Sequence, residues 1–125
     1  MIKPGQFCWN ELATSNMTLA KNFYHRVFDW EFREVDAGTM TYTIVTSKET
    51  DIAGIWQIPK EMQGQIPPHW MSYILVDDLK KSLESAIHHG AKEIKEITPV
   101  GEMGKLAVIA DPTGAYVALW ETAKE

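Results

Sequence analysis

The sequence predicts an α+β fold of two tandem β-α-β-β-β modules, eight strands and two helices within one domain, and three observations point to it. The chain has 125 residues, 45% hydrophobic and 23% charged, an ordinary globular composition with enough apolar surface for one core. Gly and Pro punctuation cuts it into short pieces, with one longer connection, PKEMQGQIPP from Pro59 to Pro68, between two halves. An offset of 62 residues superimposes those halves, so that Met17 falls on Leu79, Tyr24 on Ala86, Glu31 on Glu93 and Phe32 on Ile94. Module one is then 1–58, the linker 59–68 and module two 69–125. Neither module alone could bury both its helix stripe and its other sheet face, so the two share a core or pair with another chain.

Module one opens with Phe7-Cys8-Trp9-Asn10-Glu11-Leu12, apolar and aromatic and too short for a helix, which reads as a strand. Thr14-Ser15-Asn16 supplies N-cap chemistry. From Met17 to Phe28 the apolar residues Met17, Ala20, Phe23, Tyr24, Val27 and Phe28 recur at spacings of three and four, so one face of a three-turn helix should lie on a sheet. Lys21, Asn22, His25 and Arg26 take the other face. Strands are expected at Trp30–Val35, at Met40–Val45 across the Asp36-Ala37-Gly38 turn, and at Ile52–Ile58. Module two repeats the order with a strand at Trp70–Val76, an Asp77-Asp78 cap and a helix at Leu79–His89 closed by Gly90. Strands at Glu93–Thr98, Lys105–Ala110 and Ala115–Glu121 complete it, the last two joined by the tight Asp111-Pro112-Thr113-Gly114 turn.

Charge and cysteine content exclude several functions. Twelve basic residues against seventeen acidic ones leave a net charge of -5, whose field repels phosphate backbones and anionic membranes, so neither nucleic acid nor membrane is an expected partner. No apolar run reaches the roughly 20 residues of a bilayer span, and Met1-Ile2-Lys3-Pro4-Gly5 lacks the apolar stretch of a signal peptide; the expected setting is cytoplasmic. The single cysteine, Cys8, makes no internal disulfide and no CxxC motif, and reads as a small residue in a strand. No nucleophile elbow, Gly-rich phosphate cradle or Ser-His-Asp order is present.

Three runs carry a family resemblance. They are Glu11-Leu12-Ala13-Thr14-Ser15-Asn16 leading to Phe23-Tyr24, Val76-Asp77-Asp78-Leu79 leading to Gly90-Ala91, and Asp111-Pro112-Thr113-Gly114 followed by Ala118-Leu119-Trp120-Glu121. In order and spacing the chain resembles the vicinal oxygen chelate superfamily of glyoxalase I, bleomycin-resistance proteins and extradiol dioxygenases over essentially its whole length. The resemblance implies β-α-β-β-β modules whose mixed sheet curls into a cup, usually within or across a homodimer, with the site inside the cup. Metal-dependent members bind a divalent ion through His and Glu side chains on neighbouring strands. Carried over by spacing, those positions here are Trp9, Met71, Ala118 and Gly54, or Ile55 or Trp56 in a shifted register, and none has a nitrogen or oxygen side chain suited to a divalent ion. A shift of two residues would offer Glu11 and His69, which need further donors to make a metal site. No metal and no cofactor are therefore expected.

What stands in place of the ligands suggests a binding cup. Strand alternation puts Phe7, Trp9 and Glu11 on one face, with Met71, Tyr73 and Leu75, and Tyr116, Ala118 and Trp120, as the equivalents on later strands. Trp9, Trp56, His69, Met71, Tyr73, Tyr116, Ala118 and Trp120 are the expected ligand-binding residues, an aromatic lining for a flat or apolar small organic molecule. The competing reading is that these aromatics fill the core or a dimer interface. Glu11 is the candidate catalytic residue, either paired with a donor such as Tyr73 and tuned for acid-base work, or solvated at the rim. His88-His89 suits a helix C-terminus, His25 lies on the polar helix face, and His69 is the histidine positioned to reach the cup. Five Trp, four Tyr and four Phe exceed what two short helices and eight strands need to cover, in keeping with a homodimer. The resulting expectation is a bleomycin-resistance-like small-molecule-binding protein. A metal-dependent glyoxalase-like lyase or dioxygenase, and a partner domain docking through Pro59–Pro68, are the alternatives.

Overall fold

Strand β1 (Phe7–Thr14) runs into helix α1 (Met17–Phe28), and strands β2 (Glu31–Asp36), β3 (Thr41–Ser47) and β4 (Thr50–Gln57) follow. Strand β5 (His69–Leu75) and helix α2 (Leu79–His88) lead to β6 (Lys92–Val100), β7 (Gly104–Ala110) and β8 (Tyr116–Thr122), which is the predicted α+β order in both halves. This is a computed structural model describing residues 1–38 and 41–124; Met40, expected to start the third strand, lies outside the described residues. The stretch from Pro59 to Pro68 holds a short 3-10 turn at Lys60–Met62. Among the described residues no helix is long and apolar enough to cross a membrane.

The elements gather into two compact units, residues 9–36 with 41–71 and residues 1–8 with 37–38 and 72–124. In the first, the strand order is β2-β3-β4-β1, antiparallel except that β1 runs parallel to β4. Leu12, Val45, Ala53 and Ile55 form its buried core, against which Met17, Ala20 and Tyr24 of α1 pack. In the second, the order is β5-β8-β7-β6, with β5 parallel to β8 and the rest antiparallel. Gly5 and Gln6 exchange backbone hydrogen bonds of 2.8 and 2.9 Å with Leu75 in this unit. Leu79 and Leu83 of α2 close its core over Ala107, Ile109 and Leu119.

The helix ends follow the expected chemistry with one exception. Asn16 caps α1 by accepting from the Leu19 N–H at 3.0 Å, and Asp78 caps α2 by accepting from the Lys81 N–H at 3.1 Å. The Leu79 N–H donates to Glu121 Oε1 at 2.8 Å, so the last strand also anchors the α2 N-terminus. Gly90 follows α2 at φ +103°. Helix α1 instead ends on Asp29 at φ 63°, a left-handed turn without glycine, whose N–H donates to the His25 carbonyl at 2.9 Å.

Two expectations need correction. The six-residue apolar stripe of α1 does not all lie on the sheet: Phe23, Val27 and Phe28 are 54, 55 and 55% exposed. Successive helical residues turn by about 100°, so an arc that holds both Phe23 and Tyr24 is wider than one sheet contact covers. Phe28 and Trp30 stack beside Tyr24, and Trp70 donates from its indole N–H to the Tyr24 hydroxyl at 3.1 Å. Strand β6 also runs past Thr98 through Pro99, which an edge strand tolerates because one side of it needs no ladder donors.

The turn before β8 is tied by one carboxylate. Asp111 Oδ1 accepts from the Thr113 hydroxyl at 2.6 Å, the Thr113 N–H at 2.8 Å and the Ala115 N–H at 3.0 Å. These bonds, led by the Thr113 hydroxyl, hold Asp111 below its ordinary value of 3.8. A depressed carboxylate contributes stability above its unfolded value and loses it as pH falls through the folded one. Asp111→Asn should therefore melt below the parent at pH 6, and the gap in Tm followed by circular dichroism should close as pH is taken towards about 2.

Candidate functional site

In the first unit the register builds a face on the side of the sheet away from α1. Glu11 of β1 lies opposite Gly54 of β4, Ala13 opposite Trp56, and Ile44 of β3 opposite Gly54. Alternation along each strand then puts Trp9, Glu11, Tyr42, Ile44 and Trp56 on that face around Gly54, while Leu12, Val45 and Ile55 take the α1 side. The Tyr42 ring lies across Gly54, where a Cβ would overlap the Tyr42 hydroxyl and ring carbons.

Hydrogen bonds fix this arrangement. The Trp9 indole N–H donates to the Tyr42 hydroxyl at 3.0 Å, and that hydroxyl donates to the Glu11 carboxylate. Burial, then the Glu11 charge, push the Tyr42 phenol well above its ordinary range, and its bond to Glu11 adds to the rise against the Trp9 bond. Tyr42 is consequently a neutral donor at physiological pH. Burial also pushes up the Cys8 thiol at the start of β1 and leaves it protonated.

His69 and Met71 stand half-buried on β5. His69 Nδ1 lies 2.7 Å from the Pro67 carbonyl oxygen, an acceptor only, so Nδ1 carries the proton and Nε2 faces away from that bond. Two other histidines are similarly occupied: His25 Nδ1 meets the Trp30 carbonyl at 2.9 Å and His89 Nδ1 the Ser85 carbonyl at 2.8 Å.

The second unit gathers a smaller set. Tyr73 lies opposite Ala118 and Leu75 opposite Trp120, and the Tyr73 and Trp120 ring centroids are 6.3 Å apart. Ala118 is fully buried and Tyr73 nearly so. Trp120 lies against Gly104 much as Tyr42 lies on Gly54, and its indole N–H donates to Thr122 Oγ1 at 3.1 Å. Tyr116, at the start of β8, is 58% exposed. An open cleft of about 340 Å³ beside Gly104 is lined by Glu102, Lys105, Glu121 and Lys124 together with Pro99, Gly101 and Ala123, and contains none of the predicted site residues.

The structure thus joins Trp9 and Glu11 through a residue that sequence reasoning missed, Tyr42, and joins Tyr73, Ala118 and Trp120 separately. The signal for Tyr42 was Gly54 inside an otherwise bulky strand, which marks close approach by another group. Among the described residues no group of three or more His, Cys, Asp or Glu could hold a metal ion.

Paired β-α-β-β-β modules, each with a helix on one sheet face and an aromatic residue laid on glycine on the other, define a class of fold and site. The chain belongs to the Glyoxalase/Bleomycin resistance protein/Dioxygenase superfamily, which residues 6–119 match. It is 31% identical to the putative glyoxylase CFP32 of Mycobacterium tuberculosis over 90% of this chain and 44% of that protein. It is also 31% identical to the anthracycline biosynthesis protein DnrV of Streptomyces peucetius over 94% of this chain and 47% of that one. The chain therefore spans a little under half the length of these relatives. Methylmalonyl-CoA epimerase from Mycobacterium tuberculosis shares the fold at a TM-score of 0.67 and 15% identity, covering 97% of this chain and 90% of that one. A hypothetical protein from Bacillus halodurans does so at 0.70 and 11%, covering 96% of each.

Proposed function

We propose that this chain is a glyoxalase/bleomycin-resistance-like small-molecule-binding protein that takes an organic ligand on its aromatic face without the divalent metal of the family's metalloenzymes. One observation carries the reading: Tyr42 occupies the space over Gly54 into which a ligand-bearing side chain at that position would have to project. The other carried-over positions, Trp9, Met71 and Ala118, do not fit a divalent ion either, because such ions need several nitrogen or oxygen donors converging at about 2 Å. Trp9, Tyr42 and Trp56 supply apolar surface, and Glu11 supplies a polar group to orient the ligand. The name of the DnrV relative, in anthracycline biosynthesis, accords with a small-molecule ligand. The lyase or dioxygenase alternative would need donors at those four positions, where the sequence has Trp9, Gly54, Met71 and Ala118. In this reading the protein works in the cytoplasm as a homodimer, with the exposed flank of α1 at Leu19, Phe23 and Val27 as apolar surface for a second copy.

The test is elemental analysis after incubation with zinc, nickel, manganese and iron, with a thermal-shift panel of aromatic compounds on the same preparation. The expected result is no stoichiometric metal after dialysis, a two-chain species in sedimentation velocity, and a ligand that raises Tm by several degrees at about 100 times Kd. One metal per chain surviving dialysis would restore the metalloenzyme reading, and a panel that moves neither Tm nor tryptophan fluorescence would remove the binding reading.

A further inference from the structure

The five tryptophans are used differently. Trp9 donates to the Tyr42 hydroxyl at 3.0 Å, Trp70 to the Tyr24 hydroxyl at 3.1 Å and Trp120 to Thr122 Oγ1 at 3.1 Å. Trp30 stacks on Tyr24 with ring centroids 4.9 Å apart. Among the described residues Trp56 alone of the five makes neither an indole hydrogen bond nor a ring contact. It is half-buried on β4 rather than standing out in solvent, and its rung partner on β1 is Ala13, whose side chain has no acceptor. A tryptophan held in this way usually finds a partner for its N–H, so the unmatched group is a feature of the face.

The other donors of the same face are spent within it. The Trp9 N–H goes to Tyr42 and the Tyr42 O–H goes to Glu11. Ala13 and Ile44 carry no polar side chain. Of the donors these residues could offer a ligand, the Trp56 N–H is therefore the one not already given to the protein. Among the described residues no fully buried side-chain nitrogen or oxygen lacks a partner, so this N–H reaches the surface, where a ligand can meet it. An indole N–H donates and cannot accept, so it selects for an acceptor atom lying in the plane of its ring. At long range the net charge of -5 repels anions, so the acceptor that fits is a neutral oxygen.

We propose that the ligand of this face is a flat apolar molecule with a neutral carbonyl oxygen, which accepts from the Trp56 indole N–H at the edge of that ring. Its apolar body lies against the Tyr42 ring, which covers Gly54 two residues away along β4. The proposal rests on the small-molecule-binding reading above and narrows it to one class, aryl carbonyl compounds. Trp56 touches the ligand in this scheme and sets specificity, because the same body without an oxygen leaves the N–H to water.

The test uses two probes of one shape: 2-acetylnaphthalene, and 2-isopropenylnaphthalene, in which a CH2 group replaces the carbonyl oxygen. Equilibrium dialysis measures the binding of each to the parent and to Trp56→Phe, which keeps an aromatic ring and loses the N–H. Trp56→Phe should weaken the ketone about three- to tenfold more than it weakens the hydrocarbon, the worth of one neutral hydrogen bond. Comparing proteins for each probe cancels the difference in water solubility between the probes. In nitrogen-15-labelled parent the ketone should move the Trp56 indole N–H resonance, assigned by its absence from Trp56→Phe, further downfield than the hydrocarbon does. Equal weakening of the two probes, or a resonance that responds to both alike, overturns the carbonyl proposal and leaves the binding reading standing. Failure of both probes to bind the parent overturns both.

Discussion

Gly54→Ala is expected to lower the unfolding free energy by roughly 1–3 kcal/mol, the range of overpacking in a filled site, although alanine otherwise suits a strand better than glycine. The added Cβ would overlap the Tyr42 hydroxyl and ring, so the phenol must swing out and lose its bonds to Trp9 and Glu11. Because the clash is with a side chain, it disappears if that side chain is removed. Tyr42→Ala should destabilise on its own through lost burial, and Gly54→Ala added to it should be nearly neutral. Urea denaturation of the four proteins measures the coupling, and tryptophan emission reports whether Trp9 has lost its acceptor. If Gly54→Ala is as stable as the parent, or is equally destabilising in both backgrounds, Tyr42 does not lie on Gly54. Under the binding reading proposed above, the same substitution should also weaken ligand binding, since it displaces the Tyr42 hydroxyl from Glu11.

The second large effect belongs to the other unit. Leu79 is fully buried at the first turn of α2 and packs with Leu83, Ala107, Ile109 and Leu119. Leu79→Ala removes an isopropyl group at a place where strands cannot collapse inward, and should cost about 3–4 kcal/mol. For a chain of this size that corresponds to a fall in Tm of roughly 10–15 °C. The backbone N–H of residue 79 still donates to Glu121, so the loss is one of packing rather than capping. Phe23→Ala is the control: the larger side chain is more than half exposed and its removal should change stability by less than about 1 kcal/mol. A Leu79→Ala loss no larger than that of Phe23→Ala would show that α2 does not close the core.

The site is legible in part. Period-2 alternation alone places Trp9 and Glu11 on one face, and the absence of His or Glu at positions 9, 54, 71 and 118 is plain from spacing. Tyr73 and Ala118 share a ladder rung, a pairing of β5 with β8 that alternation within each strand does not give. The partner of Glu11 on β3 is not legible, because Trp9 and Tyr42 are 33 residues apart and no local pattern relates them. The exposed half of the α1 stripe is equally hidden, since spacing in a helix says which residues are apolar and not how wide a surface will cover them.

From sequence alone came the β-α-β-β-β order, its repetition at an offset of 62, the caps at Asn16 and Asp78, and the family. These are set by short-range physics: the periods of helix and strand, cap hydrogen bonds, and the chemistry of Gly and Pro. Only the tertiary structure decided that Glu11 faces Gly54, that Tyr42 fills the space this leaves, and that Asp29 rather than a glycine turns the chain out of α1. Each of those depends on register or packing between segments brought together by folding, where the free energy is spread over many distant contacts and no single stretch of chain encodes it.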